Sequence, residues 1–260
     1  MDKNIKPLVS IIMITRNRAS FITRAIQSVQ KQDLSNWELL ILDDASTDKT
    51  EKIVTLMAQT DPRIRYIKNV TVLGIPHNRN QGLALAQGDY MAVLDSDDEW
   101  LETDKLTRQI SFLTNNPDHI LIGSNINIVN EQGELIKTTT FATTNTTICQ
   151  RILCHNQVAH SSVVFKTEAV RKLNGYNTAI TVAEDFDLIL RLGTIGKLAN
   201  LPETTTAYTI HQGGISTQKR VAISLSHLKI VWKNFGQYPR WFSGILFSLL
   251  RVVKAIVWIR

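Results

Sequence analysis

Strand-like and helix-like segments alternate at the start of the chain, and this alternation limits the folds open to it. Apolar, β-branched runs occupy residues 8–15, 37–43, 63–68 and 90–95, and segments with a helical period occupy residues 21–30, 48–59 and 75–87. A β-α-β-α-β-α-β order is typical of a mostly parallel sheet with right-handed crossovers. We therefore predict an α/β fold in which helices flank a mostly parallel, Rossmann-like central sheet.

The regular alternation of strands and helices ends after Asp98, so the second half of the chain is expected to be a mixed arrangement of helices and strands. Helices are expected at 103–113, 167–175 and 184–192, strands at 120–129, 135–141 and 161–165, and a polar loop at 138–147. A helix is expected at 218–235, and Pro239 opens a second one. We divide the chain at residues 100 and 217, which separates two halves of one domain from a helical tail.

The formal charge of +6 belongs to the tail. Residues 204–260 contain 8 Lys or Arg and no acidic residue, whereas residues 1–203 contain 21 basic and 23 acidic residues. The helix after Pro239 has cations on one side and apolar residues on another, as does a helix that lies in a membrane surface. A helix packed on the body with a basic outer face is the alternative. The tail has too few charges to track a nucleic acid, so no such partner is expected.

The remaining composition points to a cytoplasmic protein. No run of about 18 uncharged apolar residues occurs, and the nearest candidate, residues 241–259, contains Arg251 and Lys254. The short run at 8–15 does not resemble a signal peptide. The two cysteines, Cys149 and Cys154, form neither a zinc pattern nor a disulfide framework. We expect them to be reduced packing thiols.

Three carboxylates, Asp95, Asp97 and Asp98, directly follow the fourth apolar run. Ligands bind at the carboxyl ends of strands in open α/β sheets. Carboxylates this close raise each other's pKa and ionise most easily beside a cation. Hard oxygen ligands favour Mg²⁺ or Mn²⁺, usually with phosphate oxygens. The pattern therefore predicts a divalent-cation site, and a solvated acidic turn is the alternative.

Polar residues also follow the first two apolar runs. Asp43 and Asp44 end the second run, where a carboxylate can accept a hydrogen bond from a base N–H or a ribose hydroxyl. The next helix is expected to have Ser46 or Thr47 as its N-cap, and a turn plus helix cap that uses Ser46 and Asp48 is the alternative to a binding role. Residues 15–18 (TRNR) follow the first run and are either part of the same site or a plain exposed turn.

Two later features are candidates for the same site at the carboxyl ends of the strands. Arg79 lies in the helix after Gly74, where its charge could face phosphates or simply solvent. The acidic residues 184, 185 and 187 open a helix, whose dipole favours negative charge there. A general base for an acceptor hydroxyl is the functional interpretation of this run.

Several common motifs are missing from the chain. No G-x-G-x-x-G follows the first run, and neither G-x-x-x-x-G-K-[ST] nor G-x-S-x-G occurs. Rossmann dehydrogenases, P-loop NTPases and α/β-hydrolases are therefore disfavoured.

Five segments, in this order, resemble the family 2 glycosyltransferases, the inverting enzymes with the GT-A fold, of the bacterial surface-polysaccharide type. They are VSIIMITRNR, LLILDDASTD, NRNQGLALAQGDYMAVLDSDD, HSSVVFKTEAVRKLNGYN and AEDFDLILRL. The resemblance runs from Leu8 to His211. It implies a nucleotide-sugar-binding half at 1–100 and an acceptor-binding half at 101–217. Charge and helical periodicity predict a basic amphipathic helical tail at 218–260.

The resemblance also implies roles for donor-side residues. Thr15 and Asp44 would hold the uracil and ribose, and Arg79 would lie on the diphosphate side. Asp95 and Asp97 would form the DxD motif, in which Asp97 ligates the metal ion and Asp95 contacts the ribose or the metal.

On the other side of the crevice, Asp185 would be the catalytic base in preference to Glu184, and residues 160–162 would line the acceptor. His211 would reach the metal or the diphosphate. Many family members carry an arginine where this chain has Thr209, so a loop-anchoring role for His211 stays open.

The resemblance implies a metal-dependent inverting glycosyltransferase with Mn²⁺ or Mg²⁺ as cofactor. It would transfer a sugar from a UDP-linked donor to a glycan or polyprenyl-diphosphate-linked acceptor, on the inner face of the cell membrane. The alternatives are a sugar nucleotidyltransferase, whose glycine-rich first loop is missing at 15–18, and a non-catalytic membrane-attached nucleotide-sugar-binding protein. Asp97 and Asp185 favour an enzyme.

Overall fold

The computed structural model describes residues 6–257, so the outermost residues of the predicted N-terminal half and of the tail, 1–5 and 258–260, lie outside the described residues. The strands are β1 Val9–Thr15, β2 Trp37–Asp43, β3 Ile64–Lys68, β4 Tyr90–Val93, β5 Glu99–Trp100, β6 His119–Val129, β7 Leu135–Thr139, β8 Val164–Lys166 and β9 Lys197–Thr209. The helices are α1 Ile22–Gln30, α2 Thr50–Thr60, α3 Ile75–Leu85, α4 Lys105–Asn115, α5 Asn145–Arg151, α6 Thr167–Lys172, α7 Glu184–Gly193, α8 Ile215–Gln218, α9 Arg220–Lys233 and α10 Trp241–Val257, with a 3₁₀ turn at His160–Ser162.

Within the described part of the chain, nine strands form one sheet in the order β3-β2-β1-β4-β8-β6-β9-β5, and β7 pairs with β6. Strands β1 to β4 are parallel to one another, as predicted. Strand β8 runs antiparallel to both of its neighbours, β4 and β6, while β6 and β9 are parallel. The N-terminal half is therefore a parallel sheet, and the second half is mixed.

The central strands are buried on both faces, which explains their continuous apolar runs. Because side chains alternate across a strand, Ile11 and Met13 of β1 face one core layer and Ile12 faces the other. The first layer packs under α1 and the second under α3 and α7. A side chain at Gly82 would lie only 2.8 Å from Ile12, so this glycine lets α3 approach β1 closely.

Some elements differ from the prediction. Helix α5 begins inside the predicted loop 138–147, where Thr144 accepts a hydrogen bond from the Thr147 N–H. The predicted N-cap of α2, Ser46 or Thr47, is wrong, because Lys49 is the N-cap residue. Asp48, named in the alternative, does accept a hydrogen bond from the Thr50 N–H (2.9 Å). The predicted strand at 161–165 begins instead as the 3₁₀ turn and becomes β8 only at Val164.

The tail packs on the body. Ile230 and Val231 of α9 are buried in the second core layer, and the Tyr238 hydroxyl donates to the Leu190 carbonyl at the end of α7 (2.6 Å). Cys149 and Cys154 are free thiols, as predicted. Among residues 6–257, no helix has the length and apolarity that crossing a bilayer would require.

Candidate active site

The carboxyl ends of β1, β2 and β4 meet at one edge of the sheet, and side-chain hydrogen bonds join the first two loops. The Asn17 N–H donates to Ser46 Oγ (2.9 Å), and the Thr47 N–H donates to Asn17 Oδ1 (2.8 Å). The Arg18 N–H donates to Thr50 Oγ1 (2.9 Å). Asn17 adopts a left-handed conformation with φ of 52°, which asparagine tolerates better than most residues. The polar run 15–18 is thus a fixed rim of the crevice.

Asp44 holds the loop that leads into α3. Its carboxylate accepts hydrogen bonds from the Leu73 N–H (2.7 Å), the Gly74 N–H (3.1 Å) and Asn78 Nδ2 (2.9 Å). Gly74 has φ of 87°, so a residue with a side chain would be strained there. Neighbouring Thr15 is buried, and its hydroxyl has no hydrogen-bond partner among residues 6–257. The two predicted uridine-binding residues therefore lie side by side under the crevice.

Arg79 connects the two sides of the crevice. Its guanidinium is buried, and it pairs with Asp95 Oδ1 (3.2 Å) and with Glu184 Oε1 (2.5 Å). The same group lies over the ring of Tyr176, 5.3 Å from the centroid. This one side chain fixes the head of α7 relative to the end of β4.

The three carboxylates after β4 have different environments. Asp98 is buried, and it accepts hydrogen bonds from Ser161 Oγ (2.5 Å) and the Thr209 N–H (2.9 Å). Burial, together with the charges of Asp97 and Asp95, raises the pKa of Asp98 well above its usual value. Burial also raises the pKa of Asp95, although Arg79 opposes this effect.

Asp97 is the best stabilised of the three as an anion. Its Oδ2 atom accepts hydrogen bonds from Arg18 Nε (3.0 Å) and lies 2.9 Å from His211 Nε2. Burial would raise the pKa of Asp97, but these contacts outweigh it and the pKa lies below its usual value. The ring of His211 packs against Phe21, with 4.7 Å between ring centroids. The structure thus brings together Asp97 and His211, the two predicted metal ligands.

Arg18 is a site residue that sequence reasoning did not single out. Besides Asp97, its guanidinium donates to the Gly213 carbonyl (3.0 Å), which ties the first loop to the segment after β9. Arg24 makes a similar link, since its guanidinium donates to Thr209 Oγ1 (3.0 Å). The run TRNR was a visible signal for the loop, but nothing local indicated which of its residues would reach Asp97.

The donor set fits a hard divalent cation. Asp95 and Asp97 expose 33% and 20% of their side chains, so both carboxylates are accessible from the crevice. Burial, followed by the charges of Asp97 and Asp95, raises the pKa of neighbouring Asp98, and a cation beside these carboxylates would balance the repulsion between them. Within the described residues, no three His, Cys, Asp or Glu side chains are grouped so that they alone could hold a metal ion. Asp97 and His211 would therefore need further ligands, such as donor phosphate oxygens.

Asp185 lies in the first turn of α7. It is partly exposed, and within residues 6–257 its carboxylate makes no hydrogen bond or ion pair. Ala183, two residues earlier, adopts a left-handed conformation with φ of 61°. The preceding Glu184 is buried against Arg79, so Asp185 is the more exposed acid of this pair.

The turn at residues 160–162, predicted to line the acceptor, lies beneath the carboxylates. Ser161 Oγ donates to Asp98 and accepts from the Asp95 N–H (3.2 Å). His160 is buried, and its Nε2 atom lies 2.9 Å from the Tyr176 hydroxyl. Burial lowers the pKa of His160 well below its usual value, so it is neutral at physiological pH.

The Glu184 carboxyl should make stability depend on pH. Burial raises its pKa from 4.5 to about 7, although the Arg79 charge opposes this shift. The contribution of Glu184 to stability is complete at a pH below its pKa in the unfolded chain. It is lost as the pH rises through its pKa in the folded protein. The difference in unfolding free energy, Glu184→Gln minus wild type, should therefore increase by about 1–3 kcal/mol when the pH is raised from about 5 to about 8.

Urea unfolding of both proteins at the two pH values measures this difference, and groups common to both cancel. An Arg79 pair strong enough to keep Glu184 charged at the lower pH would make the difference independent of pH, which would contradict the expectation.

Comparison with solved structures identifies the class of fold. A mannosyltransferase of Pyrobaculum calidifontis, solved with GDP-Man and Mn²⁺, superposes with a TM-score of 0.71 at 19% identity. The superposition covers 98% of this chain and 74% of the other. A crystal structure of Staphylococcus aureus TarS, residues 1–349, superposes with a TM-score of 0.68 at 18% identity, covering 95% of this chain and 72% of that TarS fragment. The chain has the GT-A glycosyltransferase fold, as predicted.

Sequence comparison identifies the family. Residues 10–175 match the model of Glycosyl transferase family 2, so the chain belongs to this family, and the predicted family is confirmed. It is 31% identical over 234 residues to the Escherichia coli UDP-Glc:alpha-D-GlcNAc-diphosphoundecaprenol beta-1,3-glucosyltransferase WfgD, covering 89% of this chain and 86% of WfgD. It is 49% identical over 94 residues to Escherichia coli K12 WcaA, whose name assigns it to colanic acid biosynthesis. That match covers 36% of this chain and only 34% of WcaA.

Proposed function

We propose that the chain transfers a sugar, with inversion, from a UDP-linked donor to a glycan or polyprenyl-diphosphate-linked acceptor in cell-surface polysaccharide synthesis. The observation that carries this proposal is the Arg79 bridge. Arg79 pairs with Asp95 and with Glu184, the residue before Asp185, so the proposed DxD carboxylates and the proposed base would face one crevice. The name of WfgD, with a UDP-sugar and a diphosphoundecaprenol-linked acceptor, supports the same substrate classes.

The donor would lie across the ends of β1, β2 and β4. Thr15 would offer the nucleoside its hydroxyl, which has no partner in the described part of the chain, and Asp44 would shape the wall beside it through the loop it holds. Asp95 and Arg79 would lie on the ribose and diphosphate side. Asp97 and His211 would hold Mn²⁺ or Mg²⁺, which would neutralise the charge that develops on the departing nucleoside diphosphate.

Asp185 would accept the proton of the acceptor hydroxyl as that oxygen attacks the anomeric carbon. The bond from this carbon to the phosphate oxygen breaks, and its electron pair leaves with the nucleoside diphosphate. Attack from the face opposite the leaving group inverts the anomeric configuration. Holding both substrates in one crevice would supply much of the rate through orientation.

The location of the enzyme follows from the acceptor. A polyprenyl-linked acceptor is held in a bilayer, and a nucleotide-sugar is a cytoplasmic metabolite, so the enzyme would work as a peripheral protein on the inner face of the cell membrane. The basic tail would contact that membrane. Nucleic acid is not a proposed partner.

A donor panel tests the proposed function. UDP-sugars and GDP-sugars would be added singly to the full chain with Mn²⁺, and thermal unfolding would be recorded. A donor that binds only the folded state raises the midpoint temperature, and the stabilisation grows with the logarithm of the ratio of its concentration to Kd. We expect a UDP-sugar to give the largest rise and to yield product with a polyprenyl-diphosphate-linked sugar. By NMR, the anomeric configuration of the transferred sugar in this product should be opposite to its configuration in the donor. Protection by GDP-sugars alone would contradict the choice of UDP.

A further inference from the structure

The outward face of α10 is the feature of the molecule that the proposed chemistry does not use. The side of α10 that packs on the body carries its small residues and Arg251. Gly244 and Ser248 are buried, and the Arg251 guanidinium donates to the Cys154 carbonyl (2.8 Å). A side chain at Gly244 would lie 2.8 Å from Leu153, so the small face of the helix is the one that fits the body.

The opposite face of α10 consists of large apolar residues in contact with solvent. Phe242 is 79% exposed, Leu246 58%, Leu250 51%, Val253 57% and Val257 62%. A helix on a water-soluble body normally turns such a face inward. Here the packing is reversed.

The exposed surface continues onto the end of α9. Trp232 and Phe235 are 63% and 66% exposed, and both pack against Trp241 of α10, with ring centroids 5.4 and 4.9 Å away. Phe242 joins the same group, 5.1 Å from Trp241. We call these seven exposed residues the apolar face: Trp232, Phe235, Phe242, Leu246, Leu250, Val253 and Val257. A continuous exposed apolar surface of this kind marks an interaction site.

The charges around the apolar face indicate what covers it. Lys233, Arg240 and Lys254 are exposed around it, and the chain has no acidic residue after position 203. A second copy would bring like charges together, whereas an anionic lipid surface would attract them. Because the described helices cannot span a bilayer, the apolar face would enter the surface of one leaflet with α10 lying parallel to it.

We propose that the apolar face is a docking surface for an anionic lipid membrane, into which Phe242, Leu246 and Leu250 insert. The inference deepens the proposed function and rests on it for its purpose, because docking would bring the crevice to the membrane that holds a lipid-linked acceptor.

The docking surface is tied to the catalytic side of the molecule. His227 of α9 stacks on Phe186, the residue after Asp185, with 4.4 Å between ring centroids. Burial lowers the pKa of His227 to about 4, so this stack stays uncharged at physiological pH. The height of Asp185 above the lipid surface would therefore be set by the packing of α9 on α7.

Vesicle sedimentation tests the proposal. The full chain would be mixed with vesicles of phosphatidylcholine alone or with added phosphatidylglycerol. We expect binding that requires phosphatidylglycerol and weakens with salt. The triple variant Phe242→Ser/Leu246→Ser/Leu250→Ser should lose at least about tenfold in partitioning. Its three side chains are exposed, so the unfolding midpoint should stay close to that of the wild type.

A matched control removes apolar surface elsewhere. Leu135 and Ile136 of β7 are 60% and 57% exposed, and Leu135→Ser/Ile136→Ser should bind vesicles as the wild type does. Equal vesicle binding by the triple variant and the wild type would overturn the proposal. So would wild-type self-association that the triple variant abolishes, in the absence of vesicle binding, because it would assign the apolar face to a second copy.

Binding of UDP with Mn²⁺ separates this proposal from the proposed function. The triple variant should bind UDP as the wild type does. Vesicle binding without any nucleotide binding would contradict the proposed transfer reaction and leave the docking surface standing.

Discussion

Asp185→Asn is expected to lower the rate of sugar transfer by about a hundredfold to ten-thousandfold, the usual contribution of a general base. An asparagine has nearly the same size but cannot accept the acceptor's proton at neutral pH. Because the Asp185 carboxylate makes no hydrogen bond or ion pair within residues 6–257, its replacement breaks no ion pair of the kind that Glu184 makes with Arg79. Binding of UDP in the presence of Mn²⁺ should stay within about twofold of the wild type.

The measurement is single-turnover transfer with saturating donor, accompanied by calorimetric UDP binding. Asp187→Asn is the matched control, since Asp187 lies in the same helical turn but pairs with Arg191 (2.8 Å). The control should keep its transfer rate while losing some stability. Undiminished turnover by Asp185→Asn would remove Asp185 as the base, and a parallel loss of UDP affinity would make it a binding residue instead.

Asp97→Asn should weaken Mn²⁺ binding by at least about tenfold, because a neutral amide replaces the carboxylate best placed to ligate the ion. UDP binding should lose its dependence on Mn²⁺, and transfer should fall with it. Electron paramagnetic resonance of free Mn²⁺ gives the metal affinity without any reaction.

Asp104→Asn supplies the control for net charge. It also removes one negative charge, but from the residue that precedes α4, where Asp104 pairs with Arg108 (2.8 Å). This variant should bind Mn²⁺ as the wild type does. Wild-type Mn²⁺ affinity in Asp97→Asn would show that the ion is held elsewhere.

The donor side of the crevice could be predicted because its signals are local. Each of β1, β2 and β4 is a short apolar run followed at once by polar residues, and parallel strands bring those ends to one edge. The predicted bounds of β2 agree with the structure at both ends. The family resemblance supplied individual roles, and those of Thr15, Asp44, Arg79, Asp95, Asp97, Asp185 and His211 stay predictions.

Contacts between distant segments could not be predicted in the same way. Strand β9 contains a polar run, LPETTTAYT, which looks like a loop until its parallel pairing with β6 is known. Arg18 reaches Asp97 across 79 positions of the chain, and no spacing rule covers such a contact. The orientation of α10 was also out of reach, because apolar residues occupy most of its circumference and only the fit of Gly244 against Leu153 selects the inward face.

The packing of the tail has a consequence for protein engineering. Charge changes abruptly near residue 204, but the hydrophobic core does not, since Ile230, Val231 and Tyr238 complete the layer that contains Phe186 and Leu190. A fragment cut at residue 217 would keep every proposed donor contact and yet expose the underside of the helix that carries Asp185. Transplanting this tail onto a related enzyme would therefore require the facing residues of α7 to be transplanted as well.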